Sequence, residues 1–520
     1  MEVSRWTSES VSTIVSTGLQ FIERFGRSEE LCAHVVTIAL TATEDSDIER
    51  TSDADADRIR EEIERFTATW PNSPYLRSLS FEDSTDALRK LADAVRESDE
   101  ERLLRRNLMR QVAAGRIPVA IIAAFSGRTY SETLIRRVSA VPARGADFRE
   151  ERECIRAFIE SVNCDVVADN STGVVLNLLP VGTRDALVQK FRRVLTSRDA
   201  VDDARNCERL LGDKNCESLV YDHQQSSVRL ISISPEEAER CNTDAAALVR
   251  LLQTFHVSVR PELRVASELQ HERHDSWLAG LDIAAESSVA LWCDDVAIRA
   301  VARHLNIPTF STVSLLQYLA MTGDISEAVR SESMYCLFGG QVADLSLSTQ
   351  TLLEYLDRSS WSVTPGHTTY LAHAASWLGP SSATSAFIEL VKLLRVHKPD
   401  DIPKLFYAAA HGIALPASNQ NGAAQLVGIL ISGTLLNLET TQMAPTILEI
   451  GRQIIRELHA PLDGGNDSDS DPLPSAVRAM RDILTPLVPN GMATSFVMAS
   501  IAHMEQADRD IAARALLRIE

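Results

Sequence analysis

The stretch that most constrains this chain runs from Val289 to Thr312 and reads VALWCDDVAIRAVARHLNIPTFST. Four apolar residues, suited to a buried strand, stop abruptly at the carboxylate pair Asp294 and Asp295. From Val296 the pattern turns helical, with Ile298, Val301, Ala302 and Leu305 on one face, and it closes at Asn306 ahead of Pro308. A strand, an acidic turn and a helix therefore follow one another. Open α/β sheets place ligands at the carboxyl ends of their strands, so this corner is a candidate metal site if the chain brings further ligands to it.

Two earlier stretches offer them. In NCDVVADNSTGVVLNLLP, residues 163 to 180, the apolar run Val166 to Ala168 ends at Asp169, and Asn170, Ser171 and Thr172 lead into an apolar helix. In RRVLTSRDAVDDA a short apolar remnant, Val194 and Leu195, precedes a turn and a helix that carries Asp199, Asp202 and Asp203 early on. The helix dipole alone favours acids in a first turn, so each acid also has a reading that needs no ligand. Right-handed crossovers bring strand ends and helix starts of a parallel sheet to one edge, where Asp169, Asp202 or Asp203, and Asp294 with Asp295 would converge. Two carboxylates about 4 Å apart repel by roughly 4 kcal/mol at an effective dielectric near 20, so protons or a cation must offset the cluster. Oxygen ligands without a histidine or cysteine set suit Mg²⁺ or Mn²⁺ rather than zinc. Such a cation generates a nucleophilic water and stabilises charge on a phosphate, which is the chemistry of phosphodiester hydrolysis.

Charge limits the partners. Acids outnumber bases by 72 to 52, a formal net charge of −20, so a polyanion site must be local. Arg184, Lys190, Arg192, Arg193 and Arg198 lie beside the second acidic stretch and are candidates to position a phosphate backbone, or else they solvate a helix face. A denser group, Arg102, Arg105, Arg106, Arg110, Arg116, Arg128, Arg136 and Arg137, reads as the outer faces of two helices or as a cationic platform. The eight cysteines form no CxxC pair, which predicts a reduced, cytoplasmic protein. The N-terminus does not resemble a secretory signal, and the apolar stretch from Leu426 to Leu438 is too short and interrupted to span a membrane. HERHD at 271 to 275 has two histidines three apart but no further ligand at a characteristic spacing, and reads as a solvated helix.

The organisation follows from the periodicities. Residues 1–100 read as a helical region interrupted by the acidic stretch from Ala42 to Asp57, which suits a solvated linker, a long loop or a helix start. Residues 101–160 form a basic helical segment, and 161–340 an α/β domain with an inserted β-hairpin at 218 to 234. Residues 341–520 read as all-helical, with a linker near 463–475. Those C-terminal helices offer packing, homo-oligomer or protein-partner faces and carry no cofactor signature.

The quoted motifs resemble those of PIN-domain nucleases. VVADNST, RRVLTSRDAVDDA and LWCDDVAIRAVARHLNIPTFST are similar to that family's first, second and third acidic motifs. In this resemblance Asp295 matches the third acid, with Ile298 and Arg299 at the expected offsets and Asp294 as an additional ligand; Asp169 matches the first, with Ser171 its polar companion. Asp203 stands for the second acid, with Asp202 the alternative, and either is a shorter reach than the glutamate many members carry. Thr309, Ser311 and Thr312 fall where members place a polar group near the site. The resemblance implies an α/β PIN-like central domain between helical regions, as in larger bacterial proteins that embed one. It further implies a metal-dependent ribonuclease with Asp169, Asp203 and Asp295 as ligands. The alternative is a PIN-like scaffold or binding module without turnover, since fold alone does not imply activity.

Overall fold

The structure is a computed structural model that describes residues 8–44, 53–71, 98–137, 143–145, 148–160, 164–212, 217–222, 227–260, 262–265, 276–373, 383–417, 419–437, 441–459, 471–489 and 492–517, with Ser73, Ser267 and Trp377 besides. The chain divides into two units, residues 1–96 with 218–231, and residues 97–217 with 232–520.

In the first unit three helices, α1 (Ser8–Phe25), α2 (Glu29–Glu44) and α3 (Asp53–Thr69), close over a small core of Ile22, Cys32, Ala33, Val36 and Phe66. Helix α3 opens inside the acidic stretch. The expected hairpin is present as strands β3 (Glu217–Asp222) and β4 (Ser227–Ser232), a two-stranded sheet of their own.

The second unit is built on a five-stranded, wholly parallel sheet in the order β5-β2-β1-β6-β7. Its strands are β1 (Asp165–Ala168), β2 (Arg193–Ser197), β5 (His256–Ser258), β6 (Ala290–Trp292) and β7 (Thr309–Phe310). Parallel strands need crossovers, and helices supply them. After β1 come α8 (Asn170–Leu178) and α9 (Val181–Val188), after β2 α10 (Arg198–Gly212) and α11 (Pro235–Leu252), and before β6 α12 (Ser276–Ser287). Helix α13 (Val296–His304) joins β6 to β7, and α14 (Thr312–Thr322) follows β7. The two-residue β7 escapes a reading by alternation, which needs several positions to show itself.

Side-chain alternation covers both sheet faces. Val166, Ala168, Val194, Ala290, Trp292 and Phe310 pack on one side, against α8, α10, α11 and α14. Val167, Leu291 and Cys293 pack on the other, against α12, α13 and two short helices upstream of the sheet, α5 (Val119–Phe125) and α6 (Tyr130–Arg136). Helix α4 (Asp99–Ala113) leads into that pair and α7 (Arg149–Ile159) follows it. The first face shares one continuous core with the helices that run from α15 (Glu327–Gly339) through α17 (Pro365–Ala372) and α19 (Ile402–Ala414) to α24 (Gln506–Leu517). Among the described residues no helix is long and apolar enough to cross a membrane. HERHD and the stretch from Ala460 to Ser470 lie outside the described residues.

Candidate functional site

Strand β1 carries an acid at each end, and the two live in opposite environments. Asp165, at the amino end, accepts from Arg192 at 2.9 and 2.7 Å and from Arg193 at 3.1 and 2.5 Å, and these guanidinium groups hold its carboxyl well below the usual range. Asp169, just past the carboxyl end, is buried and caps α8. Its Oδ1 accepts from the Ser171 hydroxyl at 2.7 Å, the Thr172 amide at 3.0 Å and the Thr172 hydroxyl at 3.1 Å. Its Oδ2 faces only weak or distant donors, the Cys293 thiol at 3.2 Å and the Tyr130 hydroxyl at 3.5 Å. Burial pushes its pKa up, against the pull of those hydrogen bonds.

The parallel register places the β6 acids beside it, since Ala168 pairs with Trp292. Asp294 is buried and accepts from the Thr312 amide at 2.9 Å and the Thr312 hydroxyl at 2.5 Å, while its own amide donates to Ser171 Oγ at 2.8 Å. Burial raises its pKa to about 7, and the charge of Asp169 adds to the rise. Asp295 caps α13, accepting at Oδ1 from Ala297 at 2.9 Å and Ile298 at 3.4 Å, and at Oδ2 from the Val119 amide at 2.8 Å. Its pKa too is raised by burial and then by Asp169. Asp203 reaches the group from α10. Its Oδ1 accepts from the Tyr130 amide at 3.0 Å, and its Oδ2 from the Ser131 amide at 2.9 Å and from Asn170 Nδ2 at 3.0 Å. Burial raises it as well.

The neighbouring Asp202 points away. It pairs with Arg198 at 2.9 Å and Arg205 at 3.4 Å on the outer face of α10. Of the expected polar companions, Ser171 links Asp169 to Asp294, and Thr312 holds Asp294. Thr309 instead donates to the Leu291 carbonyl at 2.9 Å, and Ser311 caps α14 while its amide donates to Glu151 at 3.1 Å. The expected phosphate-binding bases do not gather at the acids. Arg192 and Arg193 sit on Asp165 at the opposite end of the sheet, Lys190 pairs with Asp324, and Arg184 pairs with Asp185 at 3.4 Å. Arg198 begins α10 at the acid edge but bonds Asp202. Arg299, at its expected offset, is wholly buried and donates to Glu151 at 2.8 Å and to the carbonyls of Cys293 and Arg144 at 2.8 and 3.1 Å. It braces the acid-bearing turn from behind.

The sequence reading missed Tyr130, Ser131 and the Val119 amide, all of which reach the cluster from α5 and α6. Its only local signal there was Thr129 followed three residues on by Glu132, a helix-start pattern that says nothing of where the helix docks.

Carboxylates at the carboxyl edge of a parallel sheet, fed by successive crossovers, define an α/β domain of the acid-cluster class. More particularly, the chain carries a PIN domain: the model of the PIN domain associated with the TPR-GreAB-C-PIN system matches residues 167–304, and helical regions flank it. The match takes in Asp169, Asp203, Asp294 and Asp295, and leaves Tyr130 and Val119 outside. Neither the curated proteins nor the solved structures compared with the chain gave a match.

The donor set has the hard-oxygen chemistry of a Mg²⁺ or Mn²⁺ site. Its present arrangement does not fit one. Among the described residues no group of three or more His, Cys, Asp or Glu side chains is set to hold a single ion. Every carboxylate oxygen of the four acids already accepts at least one hydrogen bond.

Proposed function

We propose that the PIN domain is a nuclease acting on RNA, dependent on Mg²⁺ or Mn²⁺, with Asp169, Asp203, Asp294 and Asp295 as its acids. The observation that carries this reading is the contrast along β1. Asp165 is neutralised by two arginines, whereas Asp169, Asp294 and Asp295 share one buried edge with hydrogen-bond donors but no bonded guanidinium; Asp169 raises the proton affinity of the other two, and the buried Arg299 offsets this only at Asp294. Burying like charges without a counter-charge is costly, and folds keep such clusters where protons or cations act on them. PIN domains are generally nucleases, which supports this reaction class. Of the five candidate bases, Arg198 is the one we assign to the RNA backbone, because it starts at the acid edge and its pairing with Asp202 is half exposed and cheap to exchange for a phosphate.

The test is cleavage of a labelled single-stranded RNA by the full chain with Mn²⁺. Asp203→Asn should abolish cleavage while Asp202→Asn retains it, and equal loss in both, or in neither, would count against this acid set. A second reading has its own observation, namely that each acid is already used as a helix cap or hydrogen-bond acceptor. In that case the domain is a scaffold whose flanking helices bind a protein partner or a second copy, and the wild-type chain cleaves nothing.

A further inference from the structure

The mismatch between the donor set and its arrangement has a local cause. One short segment, Pro118 to Ser131, occupies the acids. The Val119 amide bonds Asp295 Oδ2 at 2.8 Å, the Tyr130 and Ser131 amides bond both oxygens of Asp203 at 3.0 and 2.9 Å, and the Tyr130 hydroxyl stands 3.5 Å from Asp169 Oδ2. Ser131 Oγ also accepts from Asn170 Nδ2 at 2.6 Å, which fixes the residue next to Asp169. Two acids, Asp203 and Asp295, thus accept amides of this one segment, and the third, Asp169, has its phenol close by.

Two features mark this segment as distinct from the rest of the domain. It lies wholly outside the stretch matched by the PIN family, 167–304, so the family's acids are covered by something the family match does not contain. Its Tyr130 phenol is buried, with its hydroxyl turned to Asp169 Oδ2 rather than to solvent. A phenol does not neutralise carboxylates. Its hydroxyl stands near Asp169 Oδ2 and leaves the repulsion between the acids in place.

We infer that the segment Pro118–Ser131, with Tyr130 as its central side chain, is an internal occupant of the acid cluster that a divalent cation must displace in order to bind. The inference rests on the nuclease reading and adds its regulation: the domain is held closed by its own upstream helices. Tyr130 acts here as a positioning residue, since it touches the acids and not the substrate. The weak donors on Asp169 Oδ2, a thiol and a long phenol contact, are the ones that give way first, and the amides on Asp203 and Asp295 follow as α5 and α6 shift.

The experiment uses the full chain and Mn²⁺ alone. Hydrogen exchange on the wild type, with and without saturating Mn²⁺, should show peptides across 118–131 losing protection when the metal binds, while the β1 amides keep theirs. Calorimetric titration should give an affinity about tenfold tighter for Tyr130→Ala, which removes the ring and its long hydroxyl contact with Asp169 while the residue's amide stays on Asp203. Tyr130→Phe keeps the ring in the core and should gain about threefold, because only the long hydroxyl contact is lost. Asp169→Asn in the Tyr130→Ala chain should cancel the gain. Mn²⁺ binding to the wild type with unchanged protection at 118–131 overturns the inference and leaves the nuclease reading standing. No Mn²⁺ binding by the wild type or either Tyr130 variant overturns both.

Discussion

Glu151 is the residue whose removal should most damage the acid-bearing turn without touching an acid. It is 2% exposed, and its two oxygens accept from Arg299 Nε at 2.8 Å, Arg303 at 3.2 Å, the Ser311 amide at 3.1 Å and the Ser314 hydroxyl at 2.7 Å. Arg299, fully buried, passes this support to the Cys293 carbonyl, one residue before Asp294. Glu151→Ala takes the carboxylate away from a buried guanidinium, which keeps only neutral carbonyl partners, and from the Ser311 amide and Ser314 hydroxyl, a change that costs about 3–5 kcal/mol. That corresponds to an opening constant on the order of a few hundred to a few thousand times larger. Replacing both partners, Glu151→Leu with Arg299→Met, removes the stranded charge and should restore most of the loss. A chain of two units does not unfold in one step, so the measurement is native-state hydrogen exchange at the amides of Leu291 and Cys293, which donate to Pro308 and Phe310 at 2.8 and 3.0 Å. An effect of Glu151→Ala within about 0.5 kcal/mol, the size of a surface pair, would refute the reasoning.

Two other outcomes follow from the same packing. Asp294 goes from an ordinary 3.8 to about 7 on folding, so its neutral form is the favoured one: its contribution to stability is fully present below about pH 4 and is lost as pH rises through 7, up to about 4 kcal/mol in all. Asp294→Asn can keep both Thr312 bonds, and in metal-free buffer it should flatten the pH dependence of melting between 4 and 8; an unchanged slope would remove Asp294 as its source. Gly412→Ala in α19 would bring a methyl to 2.0 Å from the Leu371 carbonyl of α17, which also accepts from Trp377 at 2.8 Å. A cost of about 1–3 kcal/mol in melting of the second unit is expected, and none at all would mean that the two helices can slide apart freely.

Much of the site was legible because it is local. Apolar runs that end at Asp169 and at Asp294 gave both strand ends, since a buried strand has no use for an acid until it leaves the sheet. The choice between Asp202 and Asp203 was also available from helical spacing. Asp203 lies three after Ala200 and four before Cys207, both buried, while Asp202 lies four after Arg198 and three before Arg205. Of the bases beside the second motif only Arg198 falls at the acid edge, because sequence adjacency ignores strand direction: residues before β2 fall at the amino edge and residues after it at the carboxyl edge. The covering segment was out of reach, as the bonds from Tyr130 to Asp169 and Asp203 span 39 and 73 residues and leave no periodic trace. Nor did composition reveal that Leu345, Leu347 and Leu352 continue the core of the sheet's first face, so the C-terminal helices are tied to the PIN domain by burial.

The central claim, that the acids with no bonded guanidinium are the working end of β1, meets its most direct test in two asparagine variants four residues apart. Mn²⁺-dependent cleavage of single-stranded RNA should fall on the order of 100-fold in Asp169→Asn and stay within about threefold of wild type in Asp165→Asn, once both are shown to be folded. Equal rates for wild type and Asp169→Asn would contradict the account.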